Sequence, residues 1–417
     1  MSWIAPVLVL LALLGAPLFA VIAASALWNF YQADIDLQVV AIEFWGIAEM
    51  PILLAIPLFT FAGYLLSESG APARLVRLTT ALLGWMPAGL AIVALAACAF
   101  FTAFTGASGV TIVALGAILF PAMHQAGYPE RFNLGLVTSA GSLGLLFAPS
   151  LPLILYGIVA EVSIEDLFLA GILPGFLMLL VLSGYSVWKN RALRTPLSDF
   201  SWGEAGRAIK AAAWEIPLPI VVLGGIYSGY FAISEAAAVT ALYVLIVDVL
   251  ILREIRFRDL PRIMRESMVL VGGIMIILGV SRASTNFMID AGVPQQLLEW
   301  VSSVVDDRLM FLLMLLVFLL ILGAILDIFS AIVLVVPLML PVAQQFGVDP
   351  VHLGIVFLAT MQLGYITPPV GLNLFIAGYR FERPIMDIYF ATLPFFFWLL
   401  ASVIVIIFWP TLSLALL

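Results

Sequence analysis

The chain has 417 residues, 64% of them hydrophobic and 10% charged, with a net charge of −8. A soluble globular chain is about 45–50% apolar and about 25% charged, so a soluble domain, a disordered chain and a nucleic-acid-binding module are excluded. A spanning helix takes about 20 apolar residues and a connection about 10, which allows at most roughly 14 spans and leaves no room for a large extramembrane domain. The apolar runs are long and continuous rather than alternating, so the fold class is an all-α polytopic membrane protein, not a closed barrel. The 24 prolines and 32 glycines are many for uninterrupted helices. The single cysteine, Cys98, excludes an intramolecular disulfide and any CxxC metal site.

In chain order, the first apolar run, 4–28, has no basic segment before it and exceeds a signal-peptide core. It is read as a retained span, and with the outer loop it makes a first unit at 1–49. Residues 50–190 are read as a first repeat. It contains paired apolar runs within 86–123, joined at Thr105-Gly106-Ala107-Ser108-Gly109, and an interrupted run at 131–160. Residues 191–265 are a central linker with scaffold spans, polar and basic at 200–213. Residues 266–417 are a second repeat with a C-terminal span. It contains paired runs within 309–346, joined near Asp327-Ile328-Phe329-Ser330, and an interrupted run at 351–379. Segments 255–265 and 293–304 are amphipathic and are placed at the membrane interface.

Every Lys and Arg except Arg282 and Arg308 falls at 74–77, 131, 189–210, 253–265 or 380–383, with Arg194 among them. The other loops are acidic, with Asp34, Asp36, Glu43, Glu161, Asp290, Asp306 and Asp349. The basic set is cytoplasmic by the positive-inside rule, which puts the N-terminus in the cytoplasm and the C-terminus in the periplasm. The loops at Arg74 and Arg131 then share one side, and those at Asp306 and Asp349 share the other. Each apolar pair between them is two full spans or a re-entrant hairpin, and the better reading is two re-entrant hairpins with two broken helices. Pro121, Gly127, Leu143, Gly144 and Pro149 recur as Pro341, Gly347, Leu363, Gly364 and Pro369, each 220 residues on. Two similar halves of opposite orientation make an inverted repeat, the layout of secondary transporters.

The interrupted runs carry the chemistry. Thr138-Ser139-Ala140-Gly141-Ser142-Leu143-Gly144 leads to Pro149, and Thr360-Met361-Gln362-Leu363-Gly364-Tyr365-Ile366-Thr367 leads to Pro368-Pro369. Proline lacks an N–H and disfavours helix before it, while glycine permits unwinding. Freed carbonyls and hydroxyls are hard ligands suited to Na⁺, and such backbone is tolerated in a membrane only inside protein or along a cavity. The bland alternative is a pair of ordinary proline kinks, and for the small residues at the joins, tight helix packing. Asp327 lies in an apolar stretch where an unpaired charge is expensive, so it sits near a cation or serves as a hydrogen-bonded structural carboxylate. Arg282 is the basic residue inside an apolar segment. It suits a carboxylate substrate, or else it snorkels or pairs with a neighbouring helix.

Gly106-Ala107-Ser108-Gly109 fits the GxSG pattern of rhomboid-type intramembrane serine proteases. That chemistry needs a histidine beside the serine, and His124 and His352 both fall at loop edges. The protease is therefore a remote alternative, and no organic cofactor or nucleotide-binding loop is expected. A gated channel or a cation/proton antiporter remains as the other reading.

Ile56-Pro57-Leu58-Phe59 through Gly63, Gly141-Ser142-Leu143-Gly144 through Pro149-Ser150, Ala170-Gly171-Ile172-Leu173-Pro174-Gly175, Leu322-Gly323 with Asp327, and Leu363 through Leu372 form one further pattern. In these stretches the chain resembles the large membrane subunit of tripartite ATP-independent periplasmic (TRAP) transporters, over nearly its whole length. Ala148-Pro149-Ser150 stands where that family has a double proline before the serine. The resemblance implies Na⁺-driven uptake of an organic acid across the bacterial inner membrane by an elevator mechanism of the ion-transporter superfamily type. It implies two partners: a periplasmic substrate-binding protein and a small four-helix membrane subunit. The chain opens directly on the large-subunit pattern, so the small partner is expected as a separate chain. One Na⁺ site is expected at each hairpin and broken-helix pair. Gly106, Ser108, Gly144 and Ala148 are the candidates in the first half, and Asp327, Ser330, Gly364, Thr367 and Pro368 in the second. The substrate is expected between the tips, near Ser139, Ser142, Ser150, Thr360, Gln362 or Asn373, with Arg282 as a weaker candidate.

Overall fold

The structure, a computed structural model, describes residues 4–191, 199–305 and 307–417. Arg194 and Asp306, counted above among the loop charges, lie outside the described residues. Among the described residues the fold is helical, with no strand. It begins with α1 (Ile4–Leu13), α2 (Leu18–Gln32), α3 (Gln38–Ala48), α4 (Ala55–Glu68) and α5 (Ala71–Leu83). Next come α6 (Gly89–Thr105), α7 (Ser108–Gln125), α8 (Glu130–Ala140), α9 (Leu151–Ala160) and α10 (Ile164–Lys189). The middle of the chain holds α11 (Trp202–Ala211), α12 (Pro217–Tyr227), α13 (Ile233–Leu245), α14 (Leu260–Asp290) and α15 (Val293–Ser302). The last six are α16 (Arg308–Gly323), α17 (Ile328–Gln345), α18 (Pro350–Gly364), α19 (Leu372–Phe381), α20 (Ile385–Phe408) and α21 (Thr411–Leu414). By length and composition seven of these segments are able to cross a membrane, or eight if the bent pair at 130–160 is one span.

The first apolar run differs from the expected single span. It forms two helices, because Gly15 takes φ +92° and Pro17, in extended backbone, starts the second. Proline cannot donate the N–H that a continuous helix would need there. A few later helix starts carry side-chain caps that satisfy their first free N–H groups. Ser163 accepts from Asp166 N at 3.1 Å, Asp307 from Met310 N at 2.8 Å, and Asp349 from Val351 N at 2.8 Å. The segment at 200–213 becomes α11, an exposed helix led by the protruding Trp202.

The packing has two parts. In one, α4 lies against α13 and α14, and α14 also packs on α2 and α3. In the other, partners are exchanged between the early and late helices. α9 packs on α17 and α19 on α7, while α20 packs on α8 and α10 on α18.

An ion-pair cluster joins α5 to the segments flanking α12 and α14. Arg74 Nη2 lies 2.5 Å from Glu215 Oε1, and Arg74 also pairs with Glu254, which accepts from Gly70 N at 2.7 Å. Burial opposes ionisation of Glu254, but the hydrogen bonds from Arg74 and Gly70 and the Arg74 charge prevail and hold its carboxyl below the usual range. A carboxyl depressed in the folded state adds stability above its unfolded pKa and loses it as pH falls through the folded value. Glu254→Gln is therefore expected to lower the melting temperature at pH 7 by roughly 2–4 °C. The gap between variant and wild type should close on acidification below pH 4, as read by thermal unfolding in detergent. A gap that stays constant with pH would remove this electrostatic account.

Candidate functional site

Two interrupted segments and two helix joins build the site. In the first half, α6 ends at Gly106 with φ +63°, Ala107 is extended, and Ser108 opens α7. An L side chain is strained at such a φ, and a Cβ on Gly106 would also fall 2.4 Å from Leu151 Cγ. After α8 the chain passes through a short 3₁₀ turn, Leu143–Leu146, and a cis Ala148-Pro149 bond before α9, with a bend of 43°. Thr102 ties these pieces together. Its hydroxyl donates to Gly141 O at 2.8 Å and shares a 2.7 Å hydrogen bond with Thr111. Gly144 lies flat on α6, where a Cβ would come within 2.2 Å of Ala99 O.

The second half is built in the same way. α16 ends at Gly323, and Asp327 opens α17 after a three-residue turn. Asp327 Oδ2 accepts from Phe329 N and Ser330 N at 3.0 Å each, and Oδ1 accepts from Ser330 Oγ. The carboxylate is thus an N-cap, favoured by the helix dipole. After α18 come Tyr365, Ile366, Thr367 and the cis Pro368-Pro369 bond, then Gly371 with φ +58° and α19. The backbone N–H groups of Val370 and Gly371 both donate to Ala324 O, at 3.1 and 3.2 Å. Tyr365 Oη accepts from Ile328 N at 2.9 Å. Gly364 lies on α16, where a Cβ would fall 2.4 Å from the Gly323 carbonyl carbon.

A buried polar junction joins the halves. Ser108 Oγ donates to Asn373 Oδ1 at 2.7 Å, and Asn373 Nδ2 donates to Thr138 O at 3.3 Å. The first join, the first interrupted helix and the start of α19 thus share one buried polar contact, since Ser108, Thr138 and Asn373 are all buried. Ser139 Oγ and Ser150 Oγ are buried with no hydrogen-bond partner among the described residues. Unpaired buried hydroxyls are uncommon, and they are hard oxygen donors. The other candidates lie apart from this contact. Ser142 Oγ donates weakly to Ser139 O at 3.4 Å, and Thr360 and Thr367 bond back to Val356 O and Leu363 O of their own segment. Gln362 Nε2 reaches Met178 Sδ on α10. Arg282 Nε lies 3.2 Å from Glu43 Oε2 on α3, in a separate cleft.

Sequence reasoning missed Thr102, Tyr365 and the Ala324 carbonyl. Tyr365 carried a signal, because a tyrosine in an apolar run needs a partner for its hydroxyl. Thr102 carried none, since a threonine in a helix usually bonds back to its own backbone.

Known proteins add the family. A family model described as "Tripartite ATP-independent periplasmic transporter, DctM component" matches residues 5–412. The chain belongs to the DctM family. It is a large permease subunit of a tripartite transporter, a multi-pass membrane protein and not an enzyme. Among DctM relatives, the C4-dicarboxylate TRAP transporter large permease protein of Rhodobacter capsulatus is 33% identical, covering 98% of this chain and 97% of its own. The ectoine/5-hydroxyectoine TRAP transporter large permease protein of Ruegeria pomeroyi is 32% identical, over 98% and 96%. The crystal structure of the Alcanivorax borkumensis YdaH transporter shares the fold, with a TM-score of 0.58 at 15% identity, covering 89% of this chain and 87% of its own.

Proposed function

We propose that this DctM chain is the translocation subunit of a Na⁺-coupled importer of a carboxylate-bearing organic acid in a bacterial inner membrane. Its partners in this reading are a small four-helix membrane subunit and a periplasmic binding protein that delivers the acid. The basic loops face the cytoplasm, and α6–α7 and α16–α17 are re-entrant hairpins entering from opposite faces. The observation that carries the reading is the Ser108–Asn373–Thr138 junction, in which a helix join of one half touches the interrupted segment of the other. The exchanged packing of α9 on α17 and α19 on α7 supports an inverted repeat whose two halves move as one body. The relatives named for C4-dicarboxylate and for ectoine support the substrate class, since both compounds carry a carboxylate.

Reconstitution of the three-part complex in liposomes tests this. Labelled acid is expected to accumulate against its own gradient when Na⁺ is high outside, and the signal should vanish when the Na⁺ gradient is collapsed. Uptake indifferent to Na⁺ would end the coupling claim, and equilibration without accumulation would point to a channel. A variant pair separates the two roles of Asp327. Asp327→Asn retains an N-cap acceptor, so the fold is expected to survive while half-saturation for Na⁺ rises about ten-fold if the charge serves the cation. Asp327→Ala is expected to lose about 1 kcal/mol of helix capping as well. Unchanged Na⁺ dependence in Asp327→Asn would leave the residue as a cap alone.

A further inference from the structure

A cavity lies away from the Ser108–Asn373 junction. It has a volume of about 310 Å³ and opens between Met50, α14, the C-terminal end of α9 and one face of α17. Its α17 wall runs from Val333 to Pro341, so it begins one helical turn beyond Ser330. Its α14 wall presents Arg282, Thr285 and Asn286, which are spaced i, i+3, i+4 and so share one helical face. That face offers a guanidinium, a hydroxyl and a carboxamide, all hydrogen-bond donors. Among the residues lining the cavity Arg282 is the only cation, and Glu161 at the rim is the only anion.

The state of Arg282 makes the cleft informative. Its Nε faces Glu43 Oε2 at 3.2 Å, and its Nη1 contacts the Met50 thioether at 3.7 Å, a weak acceptor. A guanidinium has five N–H donors in a fork that matches a carboxylate, and these contacts use few of them. The Arg282 and Glu43 side chains are 39% and 25% exposed, so the pair is partly hydrated and contributes little by itself. Glu43 lines a neighbouring cavity of about 280 Å³ that shares Asn286 and Ile289 with the first. The ion pair therefore stands between two cavities, with its cation facing one and its anion the other. A small acid entering this cavity would meet Arg282 and the apolar side chains of Ile47, Leu278 and Leu340.

We propose that this cleft is an arrival subsite, in which the carboxylate of the incoming acid displaces Glu43 from Arg282 one turn of α17 away from the tip of that helix. The inference rests on the organic-acid reading above. Glu43 then acts as a built-in competitor that holds the arginine oriented while the cleft is free of acid. Thr285 and Asn286 provide the remaining donors, and Glu161 in this cleft, with Asp290 in the neighbouring one, discourages the acid from lingering.

The test measures initial uptake rates in liposomes holding the full three-part complex. The probe is labelled succinate, followed by other labelled mono- and dicarboxylates. Arg282→Gln is expected to raise KM about ten-fold with the maximal rate within a factor of two, and Arg282→Lys, which retains charge but loses the fork, should fall between. Glu43→Gln is expected to lower KM, because it removes the competitor. An ion pair that is purely structural predicts something different. Both variants would then depress the maximal rate and the melting temperature together, with KM unchanged, and that result would overturn the subsite. Should Arg282→Gln fail to fold, Glu43→Gln decides alone: a fall in KM supports the subsite, and a rise or no change overturns it. If the wild-type complex takes up none of the acids, it is the organic-acid reading itself that fails.

Discussion

Replacing Asn373 by alanine is expected to cut Na⁺-driven uptake by at least about ten-fold, more than any other single polar substitution at the junction. The side chain is completely buried and makes two contacts that no other residue duplicates. It accepts from Ser108 Oγ at 2.7 Å and donates to Thr138 O at 3.3 Å, while its own backbone N–H reaches Tyr365 O at 3.0 Å. Alanine keeps the last bond and removes the other two. A buried group left without its partner costs about 1–3 kcal/mol, and two are orphaned at once in a water-poor place. Ser108→Ala should be milder, because Asn373 keeps its bond to Thr138 O. Asn373→Asp retains the Ser108 contact but sets an acceptor against the Thr138 carbonyl, so it should resemble alanine rather than wild type. Uptake rate and Na⁺ half-saturation in proteoliposomes give the ranking. Wild-type transport by Asn373→Ala would remove the junction from the transport path.

Where the helices stop was legible in the sequence, and which side chains meet was largely not. The interruptions at Gly106-Ala107, after Ala140, before Asp327 and after Gly364 stand out because glycine, proline and small polar residues suspend an otherwise apolar helix. Those are local effects of backbone chemistry, which a single sequence displays. The split of the first apolar run was missed, although Gly15 and Pro17 are the same kind of signal. The run is apolar on both sides of them, so hydropathy alone shows no break there. The Ser108–Asn373 bond joins residues 265 apart, and nothing local distinguishes Asn373 from an asparagine facing solvent. Arg282 shows the same limit. Its position inside an apolar segment announced a partner, but only the packing of α3 beside α14 identifies that partner as Glu43.

The glycines at the two interruptions set up the second large effect. Gly144→Ala and Gly364→Ala are each expected to lower the melting temperature by several degrees and to depress uptake, with the larger effect at Gly144. A Cβ at 144 would stand 2.2 Å from Ala99 O and 2.6 Å from Ala103 N, and one at 364 would stand 2.4 and 2.5 Å from the Gly323 carbonyl carbon and Cα. These neighbours are backbone and cannot rotate away, so the interrupted segment must move off the helix it lies on. Overpacking of this kind costs about 1–3 kcal/mol. At 144 the displacement also draws the Gly141 carbonyl away from Thr102 Oγ1, breaking the 2.8 Å bond that ties α6 to the first interruption. Gly272 and Gly273 on α14 supply the control, since a Cβ at either meets nothing within 4 Å. Alanine there should be neutral or stabilising by up to about 1 kcal/mol, because it favours the helix. Thermal unfolding of the four variants separates close backbone approach from glycine content. Melting temperatures for Gly144→Ala and Gly364→Ala equal to those of the α14 controls would mean that the two interruptions are not pressed against α6 and α16.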